Sequence, residues 1–178
     1  MGFNISSWPL ARTVSMLKQQ GTVSGVALER VVAEILRRGD HSGHLRRALA
    51  TFPFPKISEQ ILKAFYVPEG QSSPTINTPV WSVKPSKLLQ SLTVVANYAF
   101  VWLAKEGHDN PVNINYLTKI ALPQMWALTG AILAKVDGVS MGAGIPIQIP
   151  DLMTSIQTGK EISYSAGHWH KRRLCDAF

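Results

Sequence analysis

Short runs of β-branched and small residues alternate with amphipathic helical stretches along this 178-residue chain. Phe3-Asn4-Ile5-Ser6 reads as a short strand. Ser6 or Ser7 can cap a following helix, with Pro9 near its first turn. Leu10, Val14 and Leu17 form its apolar stripe, and Gly21 ends it. Thr22 to Val26 reads as a second short strand. Leu28, Val31, Val32, Ile35 and Leu36 then make an amphipathic helix that ends near Gly39. A β-α-β-α opening with tight connections favours a parallel sheet covered by helices.

Gly43 to Tyr66 reads as two helical pieces broken at Phe52-Pro53-Phe54-Pro55. Residues 67–87 collect Pro68, Gly70, Pro74, Pro79 and Pro85, the composition of a long loop or covering excursion. Residues 88–106 resume a helical pattern, although Thr93-Val94-Val95 also suits a strand. Pro111 to Asn115 reads as a third strand. Residues 123–135 form a helix with Met125, Leu128, Ile132 and Leu133 on its buried side. Asp137 to Gly142 reads as a fourth strand, and Asp151 is placed to cap a last short helix before Gly159. The expected fold class is α/β, with about four βα units and a helical and loop excursion after the second strand. A complete eight-stranded barrel takes about 250 residues, so these units predict an incomplete one.

Hydrophobic residues make up 46% of the chain and charged residues 16%, a globular balance. The single cysteine, Cys175, excludes an intrachain disulfide. No apolar run reaches the roughly 18 residues of a membrane helix. The N-terminus lacks a basic region followed by an apolar one, so no secretory signal is visible. Met1-Gly2 with Ser6 meets only a short, common myristoylation pattern. A cytoplasmic protein without membrane partners is expected. The formal net charge is +7, and it is uneven. Residues 1–63 hold nine Lys/Arg against four Asp/Glu, including the pairs Arg37-Arg38 and Arg46-Arg47. The third cluster is Lys171-Arg172-Arg173. No nucleic-acid motif or interleaved aromatics accompany this charge, so solvated helix faces are the expected reading and nucleic acid is not an expected partner.

Met141-Gly142-Ala143-Gly144-Ile145-Pro146 has the first two glycines of a dinucleotide loop. It lacks the third, and Pro146 obstructs the helix that should follow, so a tight turn is favoured. Asn115 falls at the C-terminal end of a predicted parallel strand, where ligands to such sheets bind. Its amide offers both donor and acceptor, as a flavin requires, and it equally suits a structural turn cap. Ser6, Ser7, Ser24 and Gly25 lie at equivalent strand ends with the same ambiguity. His41 and His44 flank a glycine-bounded turn beside Asp40, which disfavours a metal pair. His108 suits a helix C-terminus. His168, His170 and Cys175 make at most a partial zinc set, and no metal is expected.

Several runs together resemble the nitronate monooxygenases, formerly 2-nitropropane dioxygenases, and their NAD(P)H-dependent flavin relatives. They are Ile5-Ser6-Ser7-Trp8-Pro9-Leu10-Ala11-Arg12, Gly21-Thr22-Val23-Ser24-Gly25 and Gly43-His44-Leu45-Arg46-Arg47-Ala48-Leu49. The likeness continues at Leu103 to Asp109 and Ile114 to Leu117. It is clearest over Gly130 to Asp137 and Met141 to Pro146. The resemblance implies a TIM-type barrel that binds FMN at the C-terminal strand edge. It implies oxidation of alkyl nitronates with O2 through reduced flavin, or reduction of enoyl or quinone substrates with NAD(P)H. By position, Ser6 and Ser7 should face the flavin. Asn115 matches the family's FMN-contacting asparagine, and Met141 and Gly142 should line the pocket. The family's catalytic histidine follows its fifth strand and its phosphate loops follow the seventh and eighth. The matched region, residues 1–164, therefore corresponds to an N-terminal half, and no histidine here takes the catalytic role. Residues 165–178 form a divergent basic tail, and a truncated or frame-shifted product is expected. The alternative is a non-catalytic half-barrel that works only by association through open sheet edges.

Overall fold

A computed structural model describes residues 3–69, 71, 78–160, 164–165 and 171–172. The chain is a mixed α/β fold. Helix α1 (Trp8–Met16) leads into strand β1 (Gly21–Ser24) and helix α2 (Leu28–Arg37). Helices α3 (His44–Ala50), α4 (Pro55–Phe65) and α5 (Lys87–Lys105) form the excursion. Strand β2 (Val112–Leu117), helix α6 (Gln124–Leu133), strand β3 (Gly138–Gly142) and helix α7 (Ile149–Thr158) complete the alternation. β1, β2 and β3 pair in parallel and in chain order. Strands β4 (Tyr164–Ser165) and β5 (Lys171–Arg172) form a separate antiparallel pair.

The sheet has three parallel strands among the described residues, where four were expected. The predicted first strand, Phe3 to Ser6, is an irregular segment. Asn4 takes a left-handed φ of 49°, which breaks an extended run. The segment still docks on the edge of β1. Ser24 N–H donates to the Ser6 carbonyl at 2.8 Å, and the Ser6 hydroxyl donates to the Thr22 carbonyl at 2.5 Å. A side chain thus takes one of the places that a main-chain ladder would fill. Two helix limits also differ from expectation. α1 stops at Met16, before Gly21. α7 starts at Ile149 behind Gln148, which leaves Asp151 in the first turn instead of at the cap. Acidic charge is favourable there as well.

α5 is the hub of the core, and it settles the helix-or-strand ambiguity at Thr93-Val94-Val95. It packs against α1, α2, α3, α4, α6, β1 and β2. Nineteen residues with burial nearly all round suit a central helix. Ser86 caps it by accepting Leu89 N–H at 3.2 Å, and Gly107 follows its end with a φ of 79°. The Thr93 hydroxyl donates to the Leu89 carbonyl at 2.9 Å, so this buried β-branched residue is satisfied within the helix. α6 comes close because residue 130 is glycine. A Cβ there would lie 2.0 Å from the Val94 carbonyl oxygen.

The basic pairs are engaged locally. Arg37 and Arg38 both reach Glu34, Arg46 reaches the buried Asp40, and Arg47 reaches Glu106. Asp40 also accepts Arg46 N–H at 2.9 Å and Leu45 N–H at 3.3 Å, so it organises the start of α3. Among the described residues no helix is long and apolar enough to cross a membrane.

Candidate functional site

The C-terminal ends of β1, β2 and β3 lie side by side, where parallel sheets bind ligands. Register sorts their side chains onto two faces. Val23, Ile114, Tyr116 and Met141 belong to the apolar side, packed into the core with the helices. Thr22, Ser24, Asn113, Asn115 and Ser140 share the other side. A polar row crosses the sheet there. Ser6 meets Ser24, Ser24 pairs with Asn115, and Asn115 pairs with Ser140.

The row is held by neutral hydrogen bonds. Ser6 N–H donates to Ser24 Oγ at 3.1 Å, and Asn113 Nδ2 donates to Ser140 Oγ at 2.6 Å. Asn115 Nδ2 faces the Ser140 carbonyl at 3.4 Å. A carbonyl can only accept, so this contact orients the amide and turns Oδ1 the other way. Asn115 Oδ1 is buried and has no hydrogen-bond partner among the described residues. Gly138 makes room for the row, since a Cβ there would lie 2.8 Å from Asn113 Oδ1.

The structure brings only some of the expected ligand residues to this row. Ser6 and Asn115 belong to it. Gly142 lies at the end of β3, where its carbonyl accepts Thr118 N–H at 2.8 Å. Met141 is in register with Tyr116 and packs against the core, so its side chain lies on the other face from Asn115. Ser7 caps α1 through its carbonyl, which accepts Ala11 N–H at 3.1 Å, and its hydroxyl makes no cap bond. Ser140 was not singled out from the sequence. Its signal is alternation, because Val139 and Met141 flank it with apolar side chains.

A second polar cluster sits behind the same strand ends, on the helix side. Gly25 is required there, since a Cβ would lie 2.4 Å from the Tyr116 ring. The Tyr116 hydroxyl lies 2.8 Å from Asn97 Oδ1 and 3.1 Å from the Ala127 carbonyl, and donates to this pair of acceptors. Asn97 Nδ2 in turn donates to the Thr93 carbonyl at 2.9 Å. Glu29, in the first turn of α2, is only 4% exposed. Burial pushes its carboxyl up from the ordinary range, against smaller opposing effects from its own backbone N–H, Arg30 and Trp81. Burial, then the nearby Glu29 charge, also raises Tyr116 well above an ordinary tyrosine. Glu29, Asn97 and Tyr116 line a small cavity of about 20 Å³, which is room for one water.

The described histidines lie apart from both clusters. His41 faces Glu69 at 3.3 Å, and His44 stands edge-on to Trp8 at 5.0 Å. His108 Nε2 donates to the Ala104 carbonyl at 2.8 Å, the structural role expected of it at a helix end. No group of three metal-ligating side chains occurs among the described residues. His168, His170 and Cys175 lie outside them. Comparison with protein-family models, curated proteins and solved structures found no match to this chain.

Proposed function

We propose that the chain is an FMN-dependent oxidoreductase of the nitronate monooxygenase type, built from barrel-type βα units. Strand order supports the barrel-type reading, because β1, β2 and β3 follow chain order without the reversal of a doubly wound sheet. One observation carries the cofactor reading. Asn115 presents a buried acceptor without a partner among the described residues, in a row of hydroxyls and amides at the C-terminal strand ends. Neutral donors and acceptors of this kind fit the polar edge of an isoalloxazine ring. Asn115 and Ser140 would hold that edge, with Ser6 and Ser24 continuing the row and Gly142 admitting the ring close to the backbone. Bound FMN would supply electron transfer between an alkyl nitronate, or NAD(P)H, and O2. The protein's own part is to orient the ring and keep one of its faces against the sheet.

Titration with FMN and with lumiflavin tests this reading through quenching of flavin fluorescence. Saturable quenching is expected for both, weakened about tenfold by Asn115→Ala through loss of a buried hydrogen-bonding group. The circular dichroism of the variant should match that of the parent. Absence of saturation up to about 1 mM FMN, or unchanged binding by the variant, would remove the proposal. A second reading, function through association with another chain, is favoured by the outer edge of β3. No strand pairs with that edge among the described residues.

A further inference from the structure

On the helix side of the sheet, the loops after β1 and β2 frame an open cleft of about 340 Å³. Small-molecule pockets run from about 300 to 1,000 Å³, so this one suits a compact ligand. Its walls include Val26, Trp81, Ile120, Leu122 and Pro123, with Glu29 among its lining residues. It is separated from the Asn115 row by the sheet itself, because Glu29 and Tyr116 belong to the helix side.

Two features define what would fit. The walls are apolar and carry a tryptophan, which favours a hydrophobic body. Arg30 and Lys119 both line the cleft and both are exposed, and Lys119 makes no ion pair among the described residues. Burial of Glu29 favours its neutral form, which leaves the two cations less offset than the formal charges suggest. The Trp81 indole N–H is buried and turned toward Glu29, so Trp81 offers the cleft its ring. An apolar wall and two cations are complementary to an anion with a hydrophobic body.

We infer that this cleft binds a small aromatic or branched aliphatic carboxylate. The carboxylate meets Arg30 and Lys119, and the body packs on Trp81, Ile120, Leu122 and Pro123. This site does not depend on flavin binding, and either one can fail alone.

Isothermal titration with phenylacetate, phenylacetamide and phenethylamine tests the inference, with tryptophan fluorescence as a second readout. Phenylacetate should bind saturably, and the uncharged amide about tenfold more weakly. The double variant Arg30→Ala/Lys119→Ala changes two exposed residues. It should weaken phenylacetate about tenfold and leave the amide within about twofold. Glu29→Gln should retain phenylacetate binding, and Asn115→Ala should leave it unchanged. Tighter binding of phenethylamine, an unaffected double variant, loss of binding in Glu29→Gln or Asn115→Ala, or no saturation by about 10 mM phenylacetate would each overturn the inference.

Discussion

Glu29 shows how a single residue gains its character from its surroundings. In sequence it is an ordinary acid at a helix start, where the dipole favours it. In the fold it lies under Trp81 and near Tyr116, and burial lifts its proton affinity. The sign follows from linkage. The folded state binds the Glu29 proton more tightly than the unfolded state does. This group's stabilising share is therefore complete below the ordinary carboxyl value of 4.5 and is lost as pH rises through the lifted value. Glu29→Gln should accordingly raise the melting temperature at pH 7 and give a smaller difference at pH 4. Equal differences at both pH values would show that the carboxyl does not titrate in this way. Its burial was not legible, because the apolar stripe of Leu28, Val31, Val32, Ile35 and Leu36 leaves it out, yet it is buried on α2. Asn115 was legible from strand position alone. Its unpartnered Oδ1 was not, because that depends on Ser140 across the ladder.

At the scale of elements, helical period located the helices because it is local, and it oriented α2 but not α1. The stripe of α2 follows from residues three and four apart, whereas α5 and α6 are buried nearly all round. α1 buries Ala11 and Ser15 and exposes the expected Leu10 and Leu17. The segment around Phe3 failed as a strand for the opposite reason. A strand exists only by pairing with a distant partner, and here the Ser6 side chain supplies part of that pairing. The contact of α5 with α6 makes a sharp test. At Gly130 an added Cβ meets the Val94 carbonyl oxygen at 2.0 Å and the Tyr98 nitrogen at 3.0 Å, and neither backbone atom can turn aside. Gly130→Ala should cost about 3 kcal/mol through overpacking. Gly159→Ala is the control, with a φ of 65° but nothing within 4 Å of the new Cβ. It should cost about 1 kcal/mol, from backbone conformation alone. Urea midpoints of the two variants check the ranking, and equal shifts would contradict it.

At the scale of the whole molecule, the sheet has, among the described residues, one occupied edge and one open edge. The segment ending at Ser6 covers β1. β3 has no further neighbour among the described residues, and Ile145 and Ile147 just beyond it are 80% and 79% exposed. An unpaired edge beside exposed apolar side chains invites pairing. Light scattering behind size exclusion should therefore show mass rising with concentration over about 5–200 µM. Ile145→Lys/Ile147→Lys should suppress that rise. A monomer throughout the range would count against association through this edge.

Charge, hydropathy period and turn residues determined the order of helices and strands along most of the chain, because each acts over a few neighbouring residues. Tertiary structure decided the rest. It decided that three strands make the parallel sheet while the segment at Phe3 docks on β1 without becoming a strand, and that Ser6, Ser24, Asn115 and Ser140 form one row. It also turned Met141 to the face away from Asn115 and buried Glu29 against the cleft. Each of these depends on which distant segments meet and in what register, and a shift of one residue in a strand would reverse every face.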